Sequence, residues 1–209
     1  MPGDAEAAVS HLRRADPVMA TLVDLVGPPL LRAADPDPFR ALTRAIVYQQ
    51  LSGRAAGTIH GRLCALFPGG EPEPGGIMSA TDEALRGVGL SRQKTAALRD
   101  LAAHALTGEL TLENVEGWSD DEVIQHLTRV RGVGRWTAEM YLMFSLRRPD
   151  VLPVDDLGIN RAIMQLYALP ALPRPAEVLR IGSPWRPYAT YACWYLWRSQ
   201  DMTPPAPPV

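Results

Sequence analysis

The 209-residue sequence predicts an all-α protein. Apolar residues recur at helical spacing through most of the chain, glycine and proline punctuate those runs, and little reads as the period-2 alternation of a strand. Val18 to Val26 is a short apolar segment stopped by Gly27-Pro28-Pro29. Pro38 to His60 holds two helical pieces hinged near Gln49 to Ser52, and the helical pattern from Arg54 to Phe67 ends at Pro68-Gly69-Gly70. The Gly/Pro-rich stretch that follows to Gly76 reads as a loop. Ser79 is expected to cap Asp82 to Gly87, and Ser91 to cap Gln93 to Leu106, because a serine hydroxyl accepts an otherwise unpaired amide of the first turn. Leu110 to Trp118 connects to a helix over Asp120 to Arg129, whose Val123, Ile124 and Leu127, with Val130 just beyond, share one face. Arg135 opens the next helix, marked by Trp136, Met140, Met143 and Phe144. Asp155 or Asp156 caps Leu157 to Leu169, Pro175 to Ile181 is a further short helix, and Trp185 to Gln200 is the last. Thr203 to Val209 is proline-rich and reads as a disordered tail. No internal repeat is evident.

A chain of this length can bury a sizeable core as one unit or two small lobes. No run of eighteen apolar residues and no basic-then-apolar leader occurs, so the expectation is a soluble, cytoplasmic protein without membrane contact. Two cysteines, Cys64 and Cys193, supply neither a disulfide framework nor a four-cysteine metal or iron–sulfur site. The formal net charge is −2, so any nucleic-acid grip must come from a local patch. Arg129, Arg131 and Arg135 cluster between the two central helices; Arg54, Arg147, Arg148 and Arg161 lie elsewhere and read equally well as solvated surface.

The densest signal is Leu127-Thr-Arg-Val-Arg-Gly-Val-Gly-Arg-Trp-Thr-Ala138. Gly132 and Gly134 make a very short turn between two helices, since glycine reaches positive φ without a Cβ penalty. The second helix then begins with unpaired amides on the positive end of its dipole, where a phosphate oxygen is favoured. Val133 between the glycines would plug the turn from inside. An ordinary αα-corner without a ligand is the plain alternative, and the turn alone does not exclude it.

These residues resemble the helix-hairpin-helix motif, and Leu127 to Arg161 as a whole resembles the helix-hairpin-helix DNA glycosylases. The alkylation-repair branch, 3-methyladenine DNA glycosylase II, is the closest in pattern, through Gly-Arg-Trp-Thr-Ala at 134–138 and Pro-Val-Asp-Asp-Leu-Gly at 153–158. Further matches are Ala45-Ile-Val-Tyr-Gln-Gln-Leu-Ser52, Gly89-Leu-Ser-Arg-Gln-Lys94, Trp185-Arg-Pro-Tyr188 and Trp194-Tyr195, so the likeness spans about residues 35 to 199. It implies two helical lobes with a DNA-binding cleft between them: residues 1–35 with 151–202, and 36–150 carrying the motif at 120–147. The residues before position 36 are too few for the extra N-terminal β-rich domain of longer members.

The resemblance assigns roles. Gly132, Val133, Gly134, Arg135 and Thr137 would bind the DNA backbone. Asp156 would be the catalytic acid, stabilising an oxocarbenium-like sugar or activating water in the first step of base excision repair. Asp155 competes with it; Asp156 is preferred because it directly precedes Leu-Gly and because Asp155 is placed to cap the helix. Gln50, with Leu51 beside it, would fill the hole left by an extruded base, although Leu51 could equally be core. Trp136, Trp194, Tyr48 and Tyr188 would offer π faces to a cationic alkylated purine, with Met140 standing where relatives offer another ring. The aromatic set from Trp185 to Trp197 spans too much of a helix to line one pocket, so part of it must be core. Bifunctional relatives carry a Schiff-base lysine in the hairpin; Trp136 stands at that position and the chain's one lysine is Lys94, so a water-using, monofunctional enzyme is expected. No cofactor is required, but the backbone carbonyls of Thr128, Val130 and Val133 would hold a monovalent cation when DNA is bound. The expected partner is double-stranded DNA with alkylated bases, and the expected state a monomer. Two alternatives stand beside this: a noncatalytic helix-hairpin-helix DNA-binding protein, and a glycosylase for oxidised or deaminated bases.

Overall fold

A computed structural model describes residues 2–30, 35, 37–110 and 115–201; the tail at 203–209 lies outside them. Among the described residues there are twelve α-helices and no strand, as the periodicity predicts. In order they are α1 (Pro2–Ala15), α2 (Pro17–Val26), α3 (Pro38–Tyr48), α4 (Gly53–Cys64), α5 (Pro74–Ser79), α6 (Asp82–Gly87), α7 (Arg92–Thr107), α8 (Asp120–Leu127), α9 (Arg135–Phe144), α10 (Leu157–Leu166), α11 (Pro175–Gly182) and α12 (Ala189–Asp201). They fall into two compact units, one of residues 1–32 with 148–209 and one of residues 33–147.

The discontinuous unit is built on α2, α10 and α12, with α1 laid against α2. Its core contains Leu12, Met19, Ile159, Ile163, Trp185, Tyr195 and Leu196. Each such side chain contributes about 1.5–3 kcal/mol when withdrawn from water. Asp16, 6% exposed, is a buried acid of this unit. A buried carboxylate is costly unless its oxygens are filled. Here Oδ1 accepts the amides of Val18 (2.8 Å) and Met19 (3.3 Å), capping α2, while Oδ2 accepts Trp185 Nε1–H (2.9 Å) and the Tyr167 hydroxyl. Burial, then the Asp16 carboxylate, holds the Tyr167 phenol far above its ordinary pKa, so it stays a donor.

In the continuous unit α7 is central, packing on α3, α5 and α6, while α3 also meets α4 and α9. Leu42, Ile46, Leu63, Ile77, Leu85, Leu98, Leu101 and Leu142 fill the interior. Arg99 ties the ends of α5 and α6 to α7 by donating to the carbonyls of Ile77 (3.2 Å), Met78 (3.0 Å) and Ala80 (2.7 Å) and to Asp82 (2.8 Å). A capping box opens α8: Ser119 Oγ accepts the Glu122 amide while the Glu122 carboxylate accepts the Ser119 amide.

The elements differ from expectation in four places. A fourteen-residue helix, α1, precedes the first predicted segment. The Gly/Pro-rich stretch is not all loop: Pro74 opens α5, and Gly76 serves packing, since a Cβ there would lie 2.9 Å from the Phe67 ring. The cap of α6 is Thr81, whose Oγ1 accepts the Ala84 amide (3.2 Å); Ser79 is instead the last residue of α5 and donates back to the Gly75 carbonyl (2.9 Å). Finally, α10 and α12 are shorter than predicted, the segment at Ser183–Trp185 being a separate 3₁₀ turn.

Candidate functional site

In the continuous unit α8 and α9 are joined by a turn braced from within. Val130 and Val133 amides close local bonds to Leu127 (3.1 Å) and Val130 (3.0 Å) carbonyls. The Arg131 amide is taken by the Asp100 carboxylate of α7 (2.7 Å). Gly132 has φ +78°, and a Cβ on it would lie 2.9 Å from the Ala97 Cβ, so only glycine serves both the turn and the approach to α7. Val133, 4% exposed, is the internal plug. Gly134 is the N-cap of α9 and supplies no side-chain cap. The amides of Gly134, Arg135 and Thr137 have no protein acceptor among the described residues, which leaves the helix end open to an anion. Arg129 and Arg131 are exposed beside it. Arg135 is steered by a 3.0 Å bond from Nε to the buried Glu139.

Thr137 is 2% exposed, with its side chain turned inward. The hydroxyl is occupied by Gln49. Gln49 Nε2 donates to Thr137 Oγ1 and to the Gly132 carbonyl, both at 2.8 Å. The link fixes the turn after α3 to the hairpin. In that turn Gln49 (φ −53°, ψ 130°) and Gln50 (φ +54°) occupy the central positions of a type II turn closed by the Leu51 amide on the Tyr48 carbonyl (3.4 Å). Positive φ costs a residue with a Cβ about 1–2 kcal/mol. Gln50 is exposed, and Leu51 is 39% exposed rather than part of the core. Lys94, on α7, completes the brace by donating from Nζ to the Val47 and Gln49 carbonyls, both at 2.8 Å, and burial lowers its pKa.

Nearby aromatics are unequal. Tyr48 is half-buried under the Arg44 guanidinium, 4.2 Å from the ring centroid. Trp136 is half-buried on α9, while Met140 is buried among its packed residues.

Asp156 lies in the other unit, 7% exposed. It is the N-cap of α10, and Asp155, predicted for that part, is exposed instead. The reason is visible at one oxygen: Oδ1 accepts both the Ile159 amide (2.8 Å) and Trp197 Nε1–H (3.0 Å). Gly158 makes the second bond possible, since a Cβ there would lie 3.1 Å from Trp197 Cδ1 and 3.2 Å from Oδ1. Asn160 Nδ2 ties the loop down at the Val154 carbonyl (3.0 Å). Of the C-terminal aromatics, Trp185, Tyr191 and Tyr195 are buried. Trp194, Trp197 and Tyr188 are half-buried; Trp194 has the Arg198 guanidinium 5.7 Å from its ring centroid, and Tyr188 leans on His11. Sequence pattern places Gln49 in the hinge and Trp197 in the C-terminal aromatic set but gives these residues and Asp100 no individual role: each acts through a contact distant along the chain. Among the described residues no group of three or more His, Cys, Asp or Glu could hold a metal ion, and no helix is long and apolar enough to cross a membrane.

Residues 43–187 match the family described as "HhH-GPD superfamily base excision DNA repair protein". The chain is 36% identical over 203 residues to "DNA-3-methyladenine glycosylase 1" of Schizosaccharomyces pombe, covering 95% of this chain and 89% of that one. It is 33% identical to "Alkylbase DNA glycosidase-like protein mag2" of the same yeast, covering 93% of each. A solved structure of the yeast 3-methyladenine DNA glycosylase Mag1 in complex with abasic DNA superposes with a TM-score of 0.88 at 36% identity, over 94% of this chain and 98% of that one.

Proposed function

The chain belongs to the HhH-GPD superfamily of base excision DNA repair proteins, and on that premise we propose that it is a DNA-3-methyladenine glycosylase working through water. The observation that carries the chemistry is Asp156: a buried carboxylate with one oxygen pinned by two donors. Purines methylated at N3 or N7 are cationic, so the C1′–N bond is already weak. As it breaks, its electron pair leaves with the base, which departs neutral, and positive charge builds on the sugar. A fixed carboxylate favours that charge only as it develops. Water then adds to C1′, and its proton passes to the carboxylate or to solvent.

Placement falls to the other unit. The open amides of α9 and the arginines around them bind the phosphate backbone, and the DNA complex of the yeast relative supports this reading. Extrusion of the base costs a few kcal/mol, least at a weakened pair, and Gln50 with Leu51 fills the vacated space. Trp136, Trp194, Tyr48 and Tyr188 are the rings proposed to receive a cationic base. Lys94 supports the monofunctional assignment, since its amine is engaged by two carbonyls. The hairpin carbonyls fit a monovalent cation: Val130 shares its oxygen with one amide, while those of Thr128 and Val133 accept no bond among the described residues. A bound cation would add positive charge towards the phosphate.

The test is incubation with dimethyl-sulfate-treated duplex DNA and chromatography of the released bases. Free 3-methyladenine is expected. If none appears while the protein still binds the duplex, the noncatalytic reading replaces this one; release from oxidised or deaminated duplex alone would transfer the activity to those lesions.

A further inference from the structure

Gln49 stands next to the residue that the family pattern marks for insertion, and its own side chain faces away from that task. Its Nε2 reaches residues 83 and 88 positions along the chain, the Gly132 carbonyl and Thr137 Oγ1, at 2.8 Å each. The Gly132 carbonyl belongs to the turn that leads, past the bonded Val133 amide, to the amides of Gly134 and Arg135, which have no protein acceptor among the described residues. Gln49's own carbonyl is held by Lys94 Nζ (2.8 Å), which also holds Val47. Gln50, between this anchored residue and Leu51, keeps a left-handed backbone that a residue with a Cβ adopts only when its surroundings over-determine it. The anchors supply that determination.

We propose that Gln49 is a positioning residue that sets the register between the phosphate held at Gly134–Arg135 and the base-pair step entered by Gln50, with Lys94 as its second brace. The inference rests on the glycosylase reading above. It predicts that the hairpin and the inserting turn act as one rigid gauge: once the phosphate is seated, Gln50 meets one step of the stack. Loss of Gln49 leaves the phosphate amides in place and frees the gauge. Binding to undamaged duplex is then nearly preserved, while insertion and excision fall together.

The experiment uses the full chain with Gln49→Ala, Gln49→Glu, Gln50→Ala and the Gln49→Ala/Gln50→Ala double variant. Gln49→Glu keeps the stem but replaces the donor by an acceptor facing the Gly132 carbonyl, and provides a second variant should the alanine form not fold. Three quantities are read: affinity for undamaged duplex, fluorescence of a 2-aminopurine beside an abasic site, which reports unstacking on insertion, and single-turnover release of 3-methyladenine. Expected are affinities within about threefold of the parent, a lost fluorescence rise, and excision slowed on the order of 30-fold in both Gln49 variants, roughly the effect of a few lost hydrogen bonds. The double variant should be no slower than Gln50→Ala within twofold, because Gln49 acts through Gln50. Parental fluorescence and excision in the Gln49 variants, or losses that multiply in the double variant, overturn the proposal. A parent that inserts but releases no base overturns the glycosylase reading instead, while the fluorescence comparison still decides the role of Gln49.

Discussion

Asp156→Asn removes a charge and leaves a shape, and the structure separates the two consequences. The asparagine Oδ1 can accept both the Ile159 amide and the Trp197 indole N–H, as the carboxylate does at 2.8 and 3.0 Å. Asparagine and aspartate cap helices about equally well, so the melting temperature should stay within about 2 °C. The charge is another matter. A full carboxylate facing a unit positive charge at about 4 Å, with an effective dielectric constant of about 20, is worth about 4 kcal/mol. The oxocarbenium-like sugar carries less than a unit charge, so about 3–4 kcal/mol of transition-state stabilisation disappears, a slowing of roughly 10²–10³-fold. Asp156→Ala should add a folding defect, about 1 kcal/mol for the cap and about 1–3 kcal/mol for an indole left without its acceptor. Single-turnover release of 3-methyladenine, measured beside thermal melts of parent and both variants, reads the two effects apart. Should Asp156→Asn retain more than a tenth of the parental rate, the carboxylate is a helix cap and the chemistry lies elsewhere.

Trp197→Phe keeps most of the ring and deletes the donor to Asp156 Oδ1; excision is expected to slow about tenfold, and a rate within twofold of the parent would remove Trp197 from the acid's support. Gly132→Ala meets both positive φ and the 2.9 Å approach to Ala97, so a loss of at least about 2 kcal/mol, some 4–8 °C in melting temperature, should accompany weaker binding to undamaged duplex in a gel-shift titration. Borohydride added to protein and abasic duplex should trap no covalent adduct, because Lys94 is engaged by backbone carbonyls; a trapped band on a denaturing gel would establish an amine mechanism. His60 is held below its ordinary value of 6.5 by burial and then by Arg44. The unfolded chain therefore binds more protons, and stability, complete above about 6.5, declines as pH falls from there through the lower folded value. Denaturant titrations of His60→Gln should show a flatter pH dependence over that window.

What the sequence discloses is what its short-range chemistry encodes. Gly132 and Gly134 announce a turn because their spacing interrupts two helical periods, and Val133 follows as its plug. Asp156 is legible as an acid that follows that turn in sequence, but not as the cap of α10: two adjacent aspartates are equivalent until the Trp197 indole, 41 residues away, selects one oxygen. The bracing role of Gln49 is invisible for the same reason, since its partners lie 83 and 88 residues on. At α5 the Gly75-Gly76 pair reads as a breaker, whereas one of the two glycines makes room for Phe67. Thr137 belongs by position to the run expected to bind phosphate, yet its helix turns the hydroxyl inward to Gln49. In each case a tertiary contact decides between readings that local pattern leaves equal.

Lys94 is the one lysine of the chain, and it is spent inside the brace between α3 and α7. The cationic side chains flanking the hairpin, Arg129, Arg131 and Arg135, are guanidinium groups. These keep their proton at any ordinary pH and do not react with acylating reagents. An amine-directed label would therefore pass over these arginines and, apart from the N-terminal amine, modify only the lysine held between α3 and α7. Acylation at Lys94 is a chemical handle on the turn after α3 that leaves the arginine charges intact, and the extent of its modification with and without DNA would show how firmly that turn is held in each state.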